Sequence, residues 1–243
     1  MAVTLCYDFG NTRLKMAVFD NDRLREIKVL PDGSPAAVEE TLAAYRPEKS
    51  ILSSVINHEA GTEALLASRT RFHHLSYQTR LAFTTPVGRP ETIGADRLAL
   101  ASAAVHYFPG RHNLVIGLGT CVTYNFISRD HEFLGGAISP GLEMRLRSLN
   151  QFTAKLPLVP ADSNVPLIGY DTATNIQTGV VMGMAQELDG FIRAYHEKFE
   201  RLNVLLTGGD IVHLAPHLRC PVVTDPDLLF KGLFAISEAN NPG

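Results

Sequence analysis

Two short glycine-bearing stretches constrain what this chain can fold into more than anything else in it. The first, Tyr7-Asp8-Phe9-Gly10-Asn11-Thr12-Arg13-Leu14-Lys15, lies between a β-rich run at Val3 to Tyr7 and another at Met16 to Phe19. That arrangement predicts a tight hairpin joining two strands. The second is Ile116-Gly117-Leu118-Gly119-Thr120-Cys121-Val122-Thr123. It leaves an apolar strand (Leu114 to Ile116), passes through Gly-Thr and enters another strand (Tyr124 to Ile127). Tyr7-Asp8-Phe9-Gly10-Asn11 aligns with Ile116-Gly117-Leu118-Gly119-Thr120 without a gap. Two such hairpins, each opening one half of the chain, point to a duplicated domain gripping a ligand between its halves.

The residues at the first bend are those a phosphate site would use. Gly10 leaves room for backbone N–H groups to approach oxygen atoms, and Asn11 and Thr12 add short polar donors. Lys15 is a point charge, and Asp8 could hold a metal ion through water. The plain alternative is a β-turn and nothing more, since Gly-Asn is a common turn pair.

Around these hairpins the patterning alternates between strand and helix. Leu24 to Leu30 and Ile51 to Val55 are predicted strands, and Ala36 to Tyr45 and His58 to Ser68 predicted helices, which indicates an α/β layer. Thr84-Thr85-Pro86-Val87-Gly88-Arg89-Pro90 cannot be regular and is predicted as a loop. It feeds Gly94-Ala95-Asp96-Arg97, after which the Ala- and Leu-rich run Leu98 to Val105 is helical. The second half repeats the plan, with strands at Asn113 to Ile116, Thr123 to Ser128 and Glu132 to Ile138 and a helix at Gly141 to Gln151. A Pro-rich loop, Leu156 to Gly169, precedes the longest helical pattern, Thr172 to Phe199, where Ile176, Val180, Met184, Leu188 and Ile192 recur at helical spacing. Gly179 and Gly183 on it would let another helix come close, in the core or across a dimer interface. A strand at Asn203 to Leu206, a helical Asp210 to Leu214, a short strand at Val222-Val223 and a helix at Asp227 to Ala239 close the chain. With 243 residues there is room for two modest domains, residues 1–109 and 110–243.

Composition removes several function classes. The net charge is -3 and no basic cluster stands out, so nothing calls for a nucleic-acid partner. No apolar run approaches the roughly 20 residues that span a bilayer, and the N-terminus lacks the segments of a signal peptide. Cys6, Cys121 and Cys220 are odd in number and widely spaced, which argues against disulfides and zinc knuckles and fits a reducing cytoplasm.

Few groups are placed for chemistry. Asp96 opens an Ala-rich helix, where it either caps the first turn or accepts a proton from an attacking hydroxyl. Its place near a helix N-terminus predicts a low pKa. Arg97 could pair with a carboxylate substrate in a planar fork, or simply lie on a solvated helix face. Gly208-Gly209 and Gly135-Gly136 are turns that could lie against a flat ligand or a phosphate. His213 and His217 have the spacing for one helix face, but Pro216 separates them and no third ligand is near.

Taken in order, these motifs resemble the type III pantothenate kinases, of the superfamily of actin, sugar kinases and heat-shock ATPases. The matching pieces are Asp8-Phe9-Gly10-Asn11-Thr12 with Lys15, Gly94-Ala95-Asp96-Arg97, Gly119-Thr120 and Gly135-Gly136-Ala137-Ile138-Ser139-Pro140-Gly141. Thr172 with Ile176 and Gly179, Thr207-Gly208-Gly209-Asp210, and Leu228 with Gly232-Leu233 complete them. The resemblance implies two duplicated ribonuclease-H-like (actin-like ATPase) α/β domains with a cleft between them. It also implies ATP-dependent phosphorylation of the primary hydroxyl of pantothenate, the first step towards coenzyme A. Asp8 would organise Mg²⁺ through water, and Gly10, Asn11, Thr12, Lys15 and Thr120 would hold the nucleotide phosphates. Asp96 would be the base, and Val87, Gly94, Ala95, Asp96, Arg97 and Thr172 would line the pantothenate site. Members are homodimers with the substrate pocket at the subunit contact.

Two positions depart from the family pattern. Where the family has an Asp that binds a monovalent cation such as K⁺ or NH₄⁺, this chain has Gly117, which brings no carboxylate. Where it has a tyrosine before the loop proline, this chain has Val87. These departures are the support for two other readings: a non-catalytic nucleotide-binding regulatory protein on the same scaffold, or a kinase of another small carboxylated alcohol.

Overall fold

The structure, a computed structural model, describes residues 2–86 and 88–241. The chain forms two compact units, each built on a five-stranded sheet. The first comprises Met1–Pro109, His131–Phe133 and Leu228–Gly243, and the second Gly110–Asp130 and Leu134–Asp227.

In the first unit the strands are β1 (Val3–Phe9), β2 (Leu14–Asp20), β3 (Arg23–Leu30), β4 (Lys49–Ser54) and β5 (Arg71–His74). The helices are α1 (Pro35–Tyr45), α2 (Ala60–Arg69), α3 (Ala95–Tyr107) and, from the end of the chain, α7 (Leu228–Asn240). The strand order is β3-β2-β1-β4-β5, with β2 antiparallel and β4 parallel to β1. Side chains alternate across the sheet. Leu5, Tyr7 and Phe9 of β1 join Met16, Val18 and Leu52 in a core with Val38 and Leu42 of α1 and Leu66 of α2. Thr4, Cys6 and Asp8 belong to the opposite face, where α3 and α7 pack. Phe19 stacks on Phe234 there at 4.4 Å between ring centroids, and buried Lys49 pairs with Glu238 at 2.9 Å.

Helix α3 is alanine-rich because it is enclosed on nearly every side. Nine of its 13 residues are buried, and a Cβ on Gly232 of α7 would lie 2.0 Å from the Ala99 carbonyl oxygen. Only a residue without a side chain lets the two helix backbones meet so closely. This contact draws α7 into the first unit, although the sequence places residues 228–243 in the second half. The turn at 131–133 joins it as well: Thr84 N–H donates to the His131 carbonyl at 2.9 Å, and Phe133 N–H donates to the Thr84 carbonyl at 2.8 Å. Apart from this bridge and a short 3-10 turn at Pro90–Thr92, the loop expected at 84–90 is irregular where described; Val87 lies outside the described residues.

In the second unit the strands are β6 (His112–Leu118), β7 (Cys121–Ile127), β8 (Phe133–Pro140), β9 (Leu202–Gly208) and β10 (Val223–Thr224). Helices α4 (Leu142–Gln151), α5 (Thr172–Lys198) and α6 (Ile211–Leu214) accompany them. The order is β10-β9-β6-β7-β8, again with an antiparallel neighbour (β7) and a parallel one (β9) beside the central strand. The predicted apolar stripe of α5 packs as expected. Ile176, Val180, Met184, Leu188 and Ile192 meet Leu114, Ile116, Leu118, Val122, Tyr124, Phe126, Val204 and Leu206 of the sheet.

The duplication is therefore physical as well as sequential. β1 and β6 occupy the same place in their sheets and share one pattern of buried and half-buried residues. Asp8 lies opposite Lys15 on one side and Ser53 on the other; Gly117 lies opposite Thr123 and Thr207. Among the described residues no helix is long and apolar enough to cross a membrane.

Candidate active site

The first hairpin turns through Gly10, Asn11, Thr12 and Arg13, of which Asn11 and Thr12 are exposed. A Cβ on Gly10 would sit 3.2 Å from the Arg13 carbonyl and 4.0 Å from Asp8 Oδ2, so the bend closes tightly beside the carboxylate. Asp8 ends the polar face of β1, half-buried, with Lys15 directly across the hairpin. Burial first, and then the negative charge of Asp96, push the Asp8 carboxyl up to about 7; Lys15 opposes them. Ser53 was not foreseen as a site residue. It is the β4 neighbour of Asp8, fully buried, with no hydrogen-bond partner for its hydroxyl among the described residues. Its Ser-Ser-Val context gave no signal.

Asp96 is the second residue of α3, behind Gly94 at the N-cap. Its carboxylate accepts the N–H groups of Arg97 and of Asp96 itself, which favour the charged form, yet burial outweighs them and its pKa is raised. The expectation of a low value is overturned, because desolvation exceeds the pull of the helix end. A raised carboxyl is a better proton acceptor than an ordinary aspartate. A Cβ on Gly94 would lie 2.5 Å from Asp96 Oδ1, so this glycine makes room for the carboxylate to fold back over the cap. Ala95 is buried, and the half-buried guanidinium of Arg97 lies over the Phe133 ring at 5.4 Å. Burial lowers the Arg97 pKa from its high ordinary value, while Asp96 raises it.

On the second unit, Gly119 and Thr120 form the hairpin between β6 and β7, and both are exposed. The glycines singled out in the sequence converge on its backbone. A Cβ on Gly141 would lie 2.1 Å from the Gly119 carbonyl and 2.5 Å from that of Thr120. At Gly208, where φ is +110°, it would lie 2.0 Å from the Leu118 carbonyl. These two are required by backbone docking, whereas Gly209 faces open space. Gly135-Gly136, expected as a turn, lies instead within β8, where Gly136, at φ +149°, is seated just as closely on the Tyr124 carbonyl, which an added Cβ would approach to 1.9 Å.

Thr172 is exposed at the first turn of α5, behind an Asp171 capping box. It lines a surface hollow of about 390 Å³ with Leu149, Leu156, Asn175 and Gly179. His213 and His217 both hold the Pro-rich loop, through the Ser163 hydroxyl and carbonyl respectively, each at 2.9 Å.

The structure so described has the two-domain, duplicated α/β fold of the actin-like ATPases and sugar kinases. It is similar to a glucokinase from an Antarctic psychrotroph, with a TM-score of 0.52 and 13% identity over 98% of this chain and 99% of that one. A Baf family protein from Campylobacter jejuni gives a TM-score of 0.63 at 20% identity, over 97% and 98% of the two chains. At such identities the likeness speaks for the fold alone. Sequence narrows the class. The type III pantothenate kinase family profile matches residues 4–194. A type III pantothenate kinase of Christiangramia forsetii is 41% identical over 240 residues, 98% of this chain and 99% of the relative. One of Bacteroides fragilis is 38% identical over 243 residues, covering 98% and 99%. The chain belongs to the type III pantothenate kinase family.

Proposed function

We propose that the chain carries out its family's reaction with Asp96 as the base: the γ-phosphoryl group of ATP passes to the primary hydroxyl of pantothenate. The product is 4′-phosphopantothenate, and the reaction is the first step of coenzyme A synthesis. The carrying observation is the coupled pair of raised carboxyls, Asp8 at the end of β1 and Asp96 on the first turn of α3.

The hydroxyl oxygen bonds to the γ-phosphorus as the bond to the bridging oxygen breaks, and the hydroxyl proton passes to the Asp96 carboxylate. A loose transition state demands orientation and charge neutralisation more than a strong base. Gly94 leaves room for the Asp96 carboxylate, Gly94 and Ala95 line the pantothenate site, and Arg97 forks the carboxylate of the vitamin. Gly10, Asn11, Thr12 and Lys15 of one hairpin and Thr120 of the other contact nucleotide phosphates. Thr172 completes the pantothenate contacts among the described residues.

The donor set fits Mg²⁺. Asp8, whose proton affinity the charge of Asp96 raises, and Asp96 itself are hard oxygen ligands of the kind Mg²⁺ takes, and the orphaned Ser53 hydroxyl is on the strand beside Asp8. Among the described residues no cluster of three or more His, Cys, Asp or Glu could hold a metal, so the ion would be shared with phosphate and water. When bound, it would neutralise charge on the phosphates. The position expected to bind K⁺ or NH₄⁺ does not fit one: Gly117 has only Thr123 and Thr207 as strand neighbours, and no step is assigned to a monovalent cation.

A homodimer is part of the reading. Gly179 and Gly183 on α5 are exposed, with nothing within 4 Å of an added Cβ, and Phe152, Leu167, Ile168 and Tyr170 are exposed nearby in sequence. The reaction belongs in the cytoplasm, where its substrates are. A coupled ADP-release assay with pantothenate, in sodium and then in potassium or ammonium, tests the proposal. Pantothenate-dependent turnover that is equal in both salts is expected. Absence of turnover would support the regulatory alternative, and turnover only with another carboxylated alcohol would reassign the acceptor.

A further inference from the structure

We propose that Arg145 and Glu187 are positioning residues for the nucleotide: their ion pair clamps the Ser139–Gly141 turn, and through it holds the Gly119–Thr120 hairpin in its binding shape. The inference rests on the reading of Thr120 as a phosphate contact.

Four elements meet at this pair. Arg145 of α4 donates from Nη2 to Glu187 Oε2 of α5 and to Ser139 Oγ of β8, both at 2.6 Å. Its Nε donates to the Pro140 carbonyl at 2.8 Å. Tyr124 of β7 donates its hydroxyl to Glu187 Oε1 at 3.1 Å. The Arg145 and Glu187 side chains are only 23% and 25% exposed, so this is no freely solvated surface pair. Burial alone would raise the Glu187 carboxyl, but hydrogen bonds from Arg145, Ser139 and Tyr124 outweigh it and hold the carboxyl below its ordinary value.

What the clamp grips is the backbone just before Gly141. Gly141 N–H donates to the Thr120 carbonyl at 3.1 Å, and the turn lies against the Gly119 and Thr120 carbonyls with no room for a methyl group. Two surfaces in such contact cannot shift independently, so a displaced Pro140 carbonyl displaces Thr120. The apolar core of this unit is assembled from other residues, on the α5 stripe and the sheet. A planar guanidinium is needed because it serves Glu187, Ser139 and Pro140 at once in fixed directions; a lysine ammonium cannot reproduce that fork.

The test is steady-state kinetics on Arg145→Lys, Thr120→Ala and the double variant, each substrate varied in turn, with melting temperatures recorded. Arg145→Lys is expected to raise the KM for ATP about tenfold and to leave that for pantothenate within about twofold. In the Thr120→Ala background the same change should add less than about twofold, because coupled residues are non-additive. An unchanged KM for ATP, an equal rise for both substrates, or fully multiplicative effects would overturn the inference. Should Arg145→Lys not fold, Ser139→Ala removes one contact only, and an ATP KM unmoved by it is equally contrary. An active wild-type enzyme with a normal Arg145→Lys variant defeats this inference alone, whereas a wild type inert towards pantothenate defeats the functional reading beneath it.

Discussion

Asp8, at the end of β1, and Asp96, in the first turn of α3, are electrostatically coupled: the charge of Asp96 adds to burial in lifting the Asp8 carboxyl from 3.8 to about 7. Two acidic side chains are thus held in a setting that suits a cation. The strain is local, and it can be read as pH dependence.

The folded protein retains the Asp8 proton up to about pH 7, while the unfolded chain releases it near pH 3.8. The folded state therefore binds more protons throughout that window. Its stability falls as pH rises from about 4 to about 7 and is level above, through this one group. Asp8→Asn removes the effect. Its melting temperature should exceed that of the wild type by more at pH 8 than at pH 5, with a gap of about 2–4 °C for each kcal/mol involved. Scanning calorimetry of the ligand-free proteins at both pH values measures it, and an equal difference at the two would contradict the assignment.

Gly94→Ala separates position from stability. The N-cap has φ -58° and ψ 142°, which alanine adopts freely, so the fold should survive with its melting temperature nearly unchanged. The new methyl would meet Asp96 Oδ1 at 2.5 Å and force the carboxylate aside. Turnover is expected to fall about 10- to 100-fold, since small displacements of reacting groups are expensive. Wild-type kcat in a folded Gly94→Ala protein would show that the carboxylate need not lie over the cap.

The glycines around the second hairpin should divide into two kinds. Gly141→Ala and Gly208→Ala place a methyl about 2 Å from a backbone carbonyl, and neither partner can yield easily. Each is expected to cost about 1–3 kcal/mol or more. Gly209→Ala meets open space and should lie within about 0.5 kcal/mol of wild type. Urea denaturation of the three variants checks the ranking, and a destabilised Gly209→Ala beside a normal Gly208→Ala would invert it.

Much of this was legible in the sequence, for physical reasons. Period-two runs such as Val3 to Tyr7 and the helical stripe on residues 172–199 mark faces that must be buried, so the strands and helices fell near their places. β5 escaped because Arg71-Phe72-His73-His74 is a short, polar edge strand with no apolar alternation. The alignment of Asp8 with Gly117 held because each residue is fixed by the register of two neighbouring strands. What a linear reading lacked was burial. The helix end beside Asp96 is visible in sequence, but the desolvation that raises its pKa is not. The same holds for Gly232, whose contact with Ala99 brings α7 back to the first unit, and for Arg145 and Glu187, whose pairing spans 42 positions.

The central claim is that Asp96 receives the hydroxyl proton, and Asp96→Asn tests it most directly because the amide keeps the shape and removes the base. Pantothenate-dependent ADP release should drop by about 10²- to 10⁴-fold. The dissociation constant for ATP, measured by calorimetry on the same preparation, should stay within about twofold, since the proposed nucleotide contacts are residues of the two hairpins and not Asp96. A variant that binds ATP normally and turns over pantothenate at near the wild-type rate would contradict the account.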